Sequence, residues 1–377
     1  MGKKNIKKKQ KKSLLQDEQQ KAAKTVTSVV AEDKKETDAA HSIDRLLDKA
    51  EQLIDEFNYE LAQKFCQRAL ETEPDNVRAL ETSASLLLEL GNAESAKHCL
   101  GRAVEVCPES GFSKYMTLGQ LMEGATAVQC YQKGIELMIK EKESKEAEEV
   151  AAACSNDRSA SEKDISSAYC AIAEIYLTDC CFDDQAEEKC KEFVEKAIAS
   201  DPDNAEAWQV KASFLMSKNE KEEAKAAMKK SVSLWLPKLQ AVDTGELPEE
   251  EFDPVEVCSV PYTARVQSGK ILIEMEEYEE ATEVLETLLD EDDEVPDVWY
   301  LLGWANYLHG KEYYSNSRHY LQKAKEVYVK VKYEDAELLG HIDELIQELG
   351  PDDAEETENG TVGNLEIESS GEEDMDQ

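Results

Sequence analysis

The sequence lacks the long apolar runs that place proteins in or across a membrane. No stretch reaches the roughly 18 consecutive apolar residues that a spanning helix needs, and hydrophobic residues make up only 41% of the chain. The first residues also lack the apolar core of a secretory signal. Ile6 occupies the position where a myristoylation signal requires Ser or Thr. We therefore expect a soluble, non-secreted protein without a membrane partner.

Catalytic and metal-binding patterns are missing as well. The ten cysteines form no CxxC pair, so no zinc framework is indicated. Cysteines within helical patterns usually pack as small buried apolar residues. Their number without a disulfide pattern indicates a reducing compartment. The five histidines show no HExxH spacing, and neither a P-loop nor a GxGxxG segment occurs. We expect no enzyme activity, no metal site and no cofactor.

Positive charge is scarce. The chain has 43 Lys and Arg against 83 Asp and Glu, which gives a net charge of −40 and a pI near 4.5. Such a surface repels phosphate backbones, so we expect no direct binding of nucleic acid. The same field attracts cations at long range, and a strongly basic protein is the expected partner.

Lysines are nevertheless concentrated at the N-terminus, where residues 3–12 include seven of them. The set Lys7, Lys8, Lys9, Lys11 and Lys12 has the density of a nuclear localisation signal, which would make importins a further partner. A solvated tail and an arm that touches RNA are alternative interpretations of the same residues.

A repeat is the main positive feature of the sequence. Ala62, Ala69 and Pro74 recur 34 residues later as Ala96, Ala103 and Pro108, and about 34 residues is the length of a tetratricopeptide helix–turn–helix unit. Small residues let paired helices approach, and proline ends a unit because it cannot continue a helix. The pattern predicts an all-α, right-handed superhelical tetratricopeptide solenoid of about seven units, followed by a capping helix at 336–349.

Composition divides the chain into three parts. Residues 1–40 are predicted to be a disordered lysine-rich arm, residues 41–350 the repeat array, and residues 351–377 a disordered acidic tail. Insertions are expected at about 141–165 and 237–261, the second an extended acidic loop that contains Glu249, Glu250, Glu251 and Asp253. In the tail, Ser369 and Ser370 each precede an acidic residue by three positions, as acidophilic kinases prefer. We expect a monomer.

The first helices of stacked hairpins line a groove that can hold an extended segment. The predicted client-binding groove positions are Glu81, Glu123, Glu174, Glu206, Gln209, Asp297, Tyr300 and Trp304. Carboxylates and aromatic rings suit a Lys/Arg-rich segment through ion pairs and cation–π contacts. Alternatively, the glutamates are ordinary solvated surface, and Trp304 packs between helices.

One use of this fold is to grip the acidic C-terminus of a heat-shock chaperone through a basic clamp. The sequence has Arg45 and Lys49 where that clamp has Lys and Asn, and Glu81 in the adjoining groove. An anionic peptide would be repelled there. A heat-shock cochaperone is therefore the weaker interpretation.

The order of parts resembles a particular family. A lysine-rich start, about seven tetratricopeptide units, a proline-interrupted acidic insertion before the last two, and an acidic tail are similar to the dedicated assembly chaperones of the large-subunit ribosomal protein L-four. The local likeness is sharpest at residues 298–308 and 315–328, where Trp299, Leu302 and Gly303 reproduce the W-x₂-L-G signature.

The resemblance implies a non-catalytic chaperone that binds a newly made basic ribosomal protein. It further implies that the groove hides the client's rRNA-binding loop, and that the chaperone escorts the client from the cytoplasm to the nucleus for assembly of the large ribosomal subunit. The alternative is a generic tetratricopeptide scaffold for a multiprotein complex.

Overall fold

The computed structural model describes residues 39–149, 160–243, 258 and 260–350. Within these residues the secondary structure is helical and no strand occurs. The chain divides into two compact units, Met1–Pro202 and Asp203–Gln377, called the N-terminal unit and the C-terminal unit.

The N-terminal unit contains four consecutive helix hairpins, in which each helix packs against the next. Their helices are α1 (Ala39–Asp55), α2 (Tyr59–Thr72), α3 (Val77–Glu89), α4 (Ala93–Val106), α5 (Ser113–Leu121), α6 (Gly124–Glu149), α7 (Glu162–Leu177) and α8 (Ala186–Ser200). The first helices α1 and α3 also contact each other directly. This is the arrangement that the 34-residue period predicts for stacked hairpins.

The C-terminal unit contains three more hairpins and a terminal helix. Its helices are α9 (Ala205–Ser217), α10 (Lys221–Ser233), α11 (Leu236–Asp243), α12 (Tyr262–Glu274), α13 (Tyr278–Glu291), α14 (Pro296–His309), α15 (Tyr314–Val331) and α16 (Ala336–Leu349). A 3₁₀ turn, Lys311–Tyr313, joins α14 to α15. The first helices α9, α12 and α14 lie side by side.

Small residues at the hairpin contacts explain why the helices pair so closely. Ala62 and Ala96, one period apart, are both fully buried. At Gly303 an added Cβ would lie 2.6 Å from Cγ of Leu321 on the partner helix. No side chain larger than hydrogen fits there without displacing the neighbour, so the sequence spacing of small residues sets the distance between paired helices.

Short polar residues cap the helices where the repeat predicts them. The Asn76 side chain accepts a hydrogen bond from the backbone N–H of Ala79 at 3.0 Å, at the start of α3. Asn204 accepts one from Glu206 at the start of α9. Each cap satisfies one of the amides that a helix N-terminus leaves unpaired.

The first predicted insertion is bordered by helices that extend into it. Helix α6 continues to Glu149, and α7 begins at Glu162 with a capping box in which Ser161 and Asp164 bond each other's backbone N–H. Lys142 on α6 pairs with Glu162 at 2.7 Å. Helix propensity and a cap thus extend both helices into the expected interval of about 141–165, of which residues 150–159 lie outside the described residues.

The second predicted insertion begins as a helix rather than as an extended loop. Helix α11 contains Pro237 in its first turn, where the missing N–H of proline would have had no helical partner. The acidic residues Glu249, Glu250, Glu251 and Asp253 lie outside the described residues. So do Lys7, Lys8, Lys9, Lys11, Lys12, Ser369 and Ser370, and most of the predicted arm and tail.

The last helix, α16, has the limits predicted for the capping helix and covers the end of the C-terminal unit. Ile342 and Leu345 are buried in a cluster with Leu321 of α15. The guanidinium of Arg318 donates to the carbonyl oxygens of Leu349 and Gly350, both at 3.0 Å. These bonds satisfy carbonyls that the helix C-terminus leaves free and attach α16 to α15.

The described cysteines are free thiols, and several lie in the core. Cys66 and Cys190 are buried, and burial raises the pKa of Cys190 to about 12. Such thiols remain protonated at neutral pH and pack as small apolar groups.

Candidate protein-binding site

The first helix α1 carries an acidic stripe. Asp44, Asp48 and Glu51 stand at i, i+4 and i+7, so they share one face of the helix. Arg78 of α3 binds all three: its Nη2 lies 2.6 Å from Asp48 Oδ1 and 2.8 Å from Glu51 Oε2, and its Nη1 lies 3.7 Å from Asp44 Oδ1. We call these three carboxylates the α1 acidic stripe.

The α1 acidic stripe is not neutralised by its arginine. Three carboxylates against one guanidinium leave two negative charges in excess, and Asp44 and Asp48 are exposed. Hydrogen bonding to Glu51 is the largest cause that raises the pKa of Arg78, so this side chain stays charged. Sequence reasoning missed these residues, although the i, i+4, i+7 spacing of acids on a first helix was a usable signal.

Glu81, on α3, is already engaged by a buried lysine. Lys114 of α5 is 1% exposed and places its Nζ 4.0 Å from Glu81 Oε1. That oxygen is buried and has no hydrogen-bond partner among the described residues. Burial raises the pKa of Glu81, and the charge of Lys114 lowers it in part. The structure thus places Glu81 partly inside the packing between α3 and α5 rather than on an open face.

The other three predicted glutamates occupy different settings. Glu123 lies in the turn between α5 and α6, because α5 ends at Leu121. The expectation that it projects from a first helix was wrong. Glu174 is exposed on α7, and Glu206 is half-buried in the first turn of α9. Only these last two project from first helices as predicted.

Gln209 is a packing residue of the C-terminal unit. It is 7% exposed and bridges α9 to α12: its Nε2 donates to the Ala264 carbonyl at 3.0 Å, and its Oε1 accepts from the Ser268 hydroxyl at 3.2 Å. Since both ends of the amide are bonded inside the unit, the expectation that Gln209 faces an open groove was wrong.

The predicted aromatic positions on α14 lie under the capping helix. Trp304 stacks on Tyr307 with ring centroids 5.6 Å apart and contacts His341 of α16 at 5.0 Å. The hydroxyl of Tyr300 lies 2.8 Å from Nδ1 of His341. This is the packing alternative considered for Trp304, and it applies to Tyr300 as well: α16 occupies the face that the sequence assigned to a client.

Asp297, in the first turn of α14, is half-buried and accepts a hydrogen bond from the hydroxyl of Tyr333, which raises the pKa of that tyrosine. The predicted groove residues therefore fall into separate settings in the two units. Glu174, Glu206 and Asp297 lie at first-helix surfaces, whereas Gln209, Tyr300 and Trp304 are held by packing.

Within residues 39–149, 160–243, 258 and 260–350, His, Cys, Asp and Glu side chains form no group of three or more that could hold a metal ion. In the same ranges no helix combines the length and apolar character needed to cross a bilayer.

Comparisons with known proteins identify the repeats. Models of the tetratricopeptide repeat match residues 53–109, 205–234 and 266–313. Together with the seven helix hairpins and α16, these matches confirm the predicted all-α tetratricopeptide array with a capping helix.

Two curated relatives match most of the chain. A protein of Schizosaccharomyces pombe named probable assembly chaperone of rpl4 is 31% identical over 324 residues, which is 81% of this chain and 89% of the relative. A protein of Emericella nidulans with the same name is 28% identical over 369 residues, 88% of this chain and 87% of the relative.

A solved structure named Assembly Chaperone of RpL4 (Acl4), residues 1–338, is also similar. It is 28% identical, with a TM-score of 0.61, and the match covers 73% of this chain and 99% of that chain.

Proposed function

The chain belongs to the family of tetratricopeptide-repeat assembly chaperones of rpl4, the ribosomal protein L-four, and we propose that it binds newly made rpl4 as a dedicated chaperone. Its role is non-catalytic: it shields the client's basic rRNA-binding loop and escorts the client from the cytoplasm to the nucleus. The names of the two curated relatives and of the similar solved structure support the choice of client.

The observation that carries the proposal is the way in which the α1 acidic stripe holds Arg78. Carboxylates at helical spacing surround one guanidinium, with contacts at 2.6 and 2.8 Å, and charge-assisted pairs of this kind are the strong ones. Because two negative charges remain in excess, the same face attracts further cations. A Lys/Arg-rich loop supplies them.

Long-range charge supports the same partner. An rRNA-binding loop carries positive charge that its own fold does not compensate, and a chain with a net charge of −40 attracts and screens it. Bound in this way, the loop is kept from non-specific contacts with RNA. Release follows when rRNA offers the loop a stronger polyanion.

Nuclear escort is the least direct part of the proposal. It is supported by the lysines at residues 7–12, which have the composition of an importin-read signal. Under this proposal the chaperone–rpl4 complex forms in the cytoplasm, and rpl4 is released in the nucleus.

Phosphorylation at Ser369 or Ser370 would add negative charge to a tail that already lacks Lys and Arg.

The test is the affinity of purified chain for purified rpl4, measured by biolayer interferometry, for the wild type and two charge-matched variants. The first variant neutralises two stripe residues, Asp48→Asn and Glu51→Gln. The second neutralises two exposed carboxylates away from first helices, Glu283→Gln on α13 and Glu344→Gln on α16. Both variants lose the same net charge.

We expect the stripe variant to bind rpl4 about tenfold more weakly, which corresponds to about 1.4 kcal/mol, and the control variant to bind within about twofold of wild type. Equal weakening of both variants would mean that only overall charge acts. A pull-down in which the wild type captures basic proteins at large, with no enrichment of rpl4, would contradict the dedicated client and favour a general scaffold.

A further inference from the structure

Turns inside the hairpins of the N-terminal unit carry large apolar side chains that are left open to solvent. Phe57 in the α1–α2 turn is 79% exposed, Leu90 in the α3–α4 turn is 48% exposed, and Phe182 in the α7–α8 turn is 98% exposed. Single exposed apolar residues are ordinary. Three in the same kind of turn form a surface if the turns adjoin one another.

Hydrogen bonds join the first turn to the second and the third turn to the fourth. In a row of antiparallel hairpins, the turns that join first to second helices lie at one edge. The hydroxyl of Tyr59, just after the first turn, donates to Glu89, just before the second, at 3.2 Å. The backbone N–H of Gly124, after the third turn, donates to the Asp179 carboxylate in the fourth at 3.3 Å. We call residues 56–60, 89–92, 122–124 and 178–185 the intrahairpin rim.

The backbone conformation of the α1–α2 turn does not favour a bulky side chain at Phe57. Its φ of +57° lies in the left-handed region, which the Cβ of a bulky residue disfavours. One period later the same position is Gly91, with φ +72°, and glycine adopts this conformation without strain. In return the Phe57 ring gains an edge contact with Tyr59 at 6.3 Å.

Phe182 contributes equally little to the fold. Its turn is anchored instead by buried Cys180, whose carbonyl accepts a hydrogen bond from the N–H of Asp183 at 3.0 Å. At 98% exposure the phenyl ring buries almost none of its area, so it gains no hydrophobic stabilisation within the chain. That stabilisation is available only through contact with another molecule.

The charge of the rim defines the kind of partner. Residues 56–60, 89–92, 122–124 and 178–185 include no Lys or Arg, and the carboxylates of Glu56, Asp183 and Asp184 are exposed beside the apolar side chains. A basic segment that also carries apolar side chains complements both features. A second copy of this chain would place like charges opposite each other, which is unfavourable.

We propose that the intrahairpin rim is a second docking surface for the client. Phe57, Leu90 and Phe182 contact apolar side chains of a Lys/Arg-rich segment, and the neighbouring carboxylates pair with its cations. The inference rests on the proposed function, since rpl4 is the partner to which it commits. It adds to that function a surface distinct from the first-helix faces, and one where apolar contact matters as much as charge.

The test uses the full chain and purified rpl4 in biolayer interferometry. The rim variant is Phe57→Gly with Phe182→Ser. The matched control is Val329→Ser, which removes an apolar side chain that is 67% exposed on α15. We expect the rim variant to bind rpl4 about tenfold or more weakly, because two aromatic rings lose their burial in the complex. We expect the control to bind as wild type does.

Thermal unfolding and light scattering complete the experiment. Phe57→Gly should leave the midpoint of unfolding unchanged or raise it, since glycine relieves the left-handed strain. Weaker binding by a variant of undiminished stability supports a docking role. Wild-type affinity in the rim variant overturns the inference alone. A wild-type dimer that the rim variant dissociates overturns it in favour of self-association. Failure of the wild type to bind rpl4 overturns the proposed function and, with it, the occupant named here.

Discussion

At the scale of single residues, side chains of similar polarity have different roles because of what packs around them. Gln209 and Glu174 both lie on first helices, yet Gln209 is buried with both ends of its amide bonded, and Glu174 is exposed. A sequence pattern assigns a helix face but does not show whether a neighbouring helix covers it. In the C-terminal unit, α12 covers Gln209, and the Gln209 amide joins α9 to α12 through hydrogen bonds.

The role of Gln209 can be tested directly. Gln209→Ala removes two hydrogen bonds between α9 and α12 and leaves the Ser268 hydroxyl with one partner fewer. We expect a loss of about 1–3 kcal/mol in unfolding free energy, as for other buried hydrogen bonds, and no change in rpl4 affinity. Urea unfolding and interferometry measure the two quantities. Gln67→Ala, an exposed change on α2, is the control and should alter neither.

A fall in rpl4 affinity for Gln209→Ala, measured under conditions where the variant is fully folded, would restore the original assignment of Gln209 to the groove. Unchanged stability would contradict the packing role.

At the scale of helices, the sequence predicted which segments are helical better than it predicted where each helix ends and what packs against it. The spacing of Ala62 and Ala96 identified the hairpins, and the alternation of apolar and charged residues gave α16 its limits of Ala336 and Leu349. These features follow from local periodicity, which the sequence contains. Repeat period alone could not show that α5 ends early enough to leave Glu123 in a turn.

The sequence of a helix does not show which neighbouring helix packs over it. The aromatic side chains of α14 suit a binding groove and a helix interface equally well, and only the position of α16 decides between them. The rim residues were missed for a related reason. A turn in the left-handed region is predicted from Gly or Asn, and Phe57 gives no such signal although it occupies the position of Gly91.

Close approach within a hairpin leads to a second prediction, with its control on another helix. Gly303→Ala would place a Cβ 2.6 Å from Leu321 Cγ, between α14 and α15, and overpacking of this kind costs about 1–3 kcal/mol. Gly340→Ala on α16 meets nothing within 4 Å and should stabilise the helix by up to about 1 kcal/mol. Thermal unfolding of both variants gives opposite shifts if the packing is as described.

A rise in the unfolding midpoint for Gly303→Ala would show that α14 and α15 can separate at little cost. The close approach would then not be what sets the hairpin geometry.

At the scale of the whole molecule, excess negative charge acts on stability and on binding in opposite directions. With 43 cationic and 83 anionic side chains, carboxylates outnumber cations by 40, and the carboxylates in excess repel one another in the folded chain. The described ion pairs are mostly exposed, such as Lys323 with Glu326 at 2.8 Å, and exposed pairs stabilise little. The excess charge therefore lowers the stability of the isolated protein, and a bound basic client compensates it.

This opposition predicts that salt stabilises the free chain while it weakens the complex. Between about 0.1 M and about 1 M salt the screening length falls from about 10 Å to about 3 Å. The repulsion among carboxylates is then reduced, and the unfolding midpoint of the free chain should rise. Attraction of rpl4 is reduced by the same screening, mainly through a slower association rate, so its affinity should fall by at least about tenfold. Thermal unfolding and interferometry over one salt series measure both. If the affinity is independent of salt, charge does not drive capture, and the apolar contacts of the intrahairpin rim would have to carry it alone.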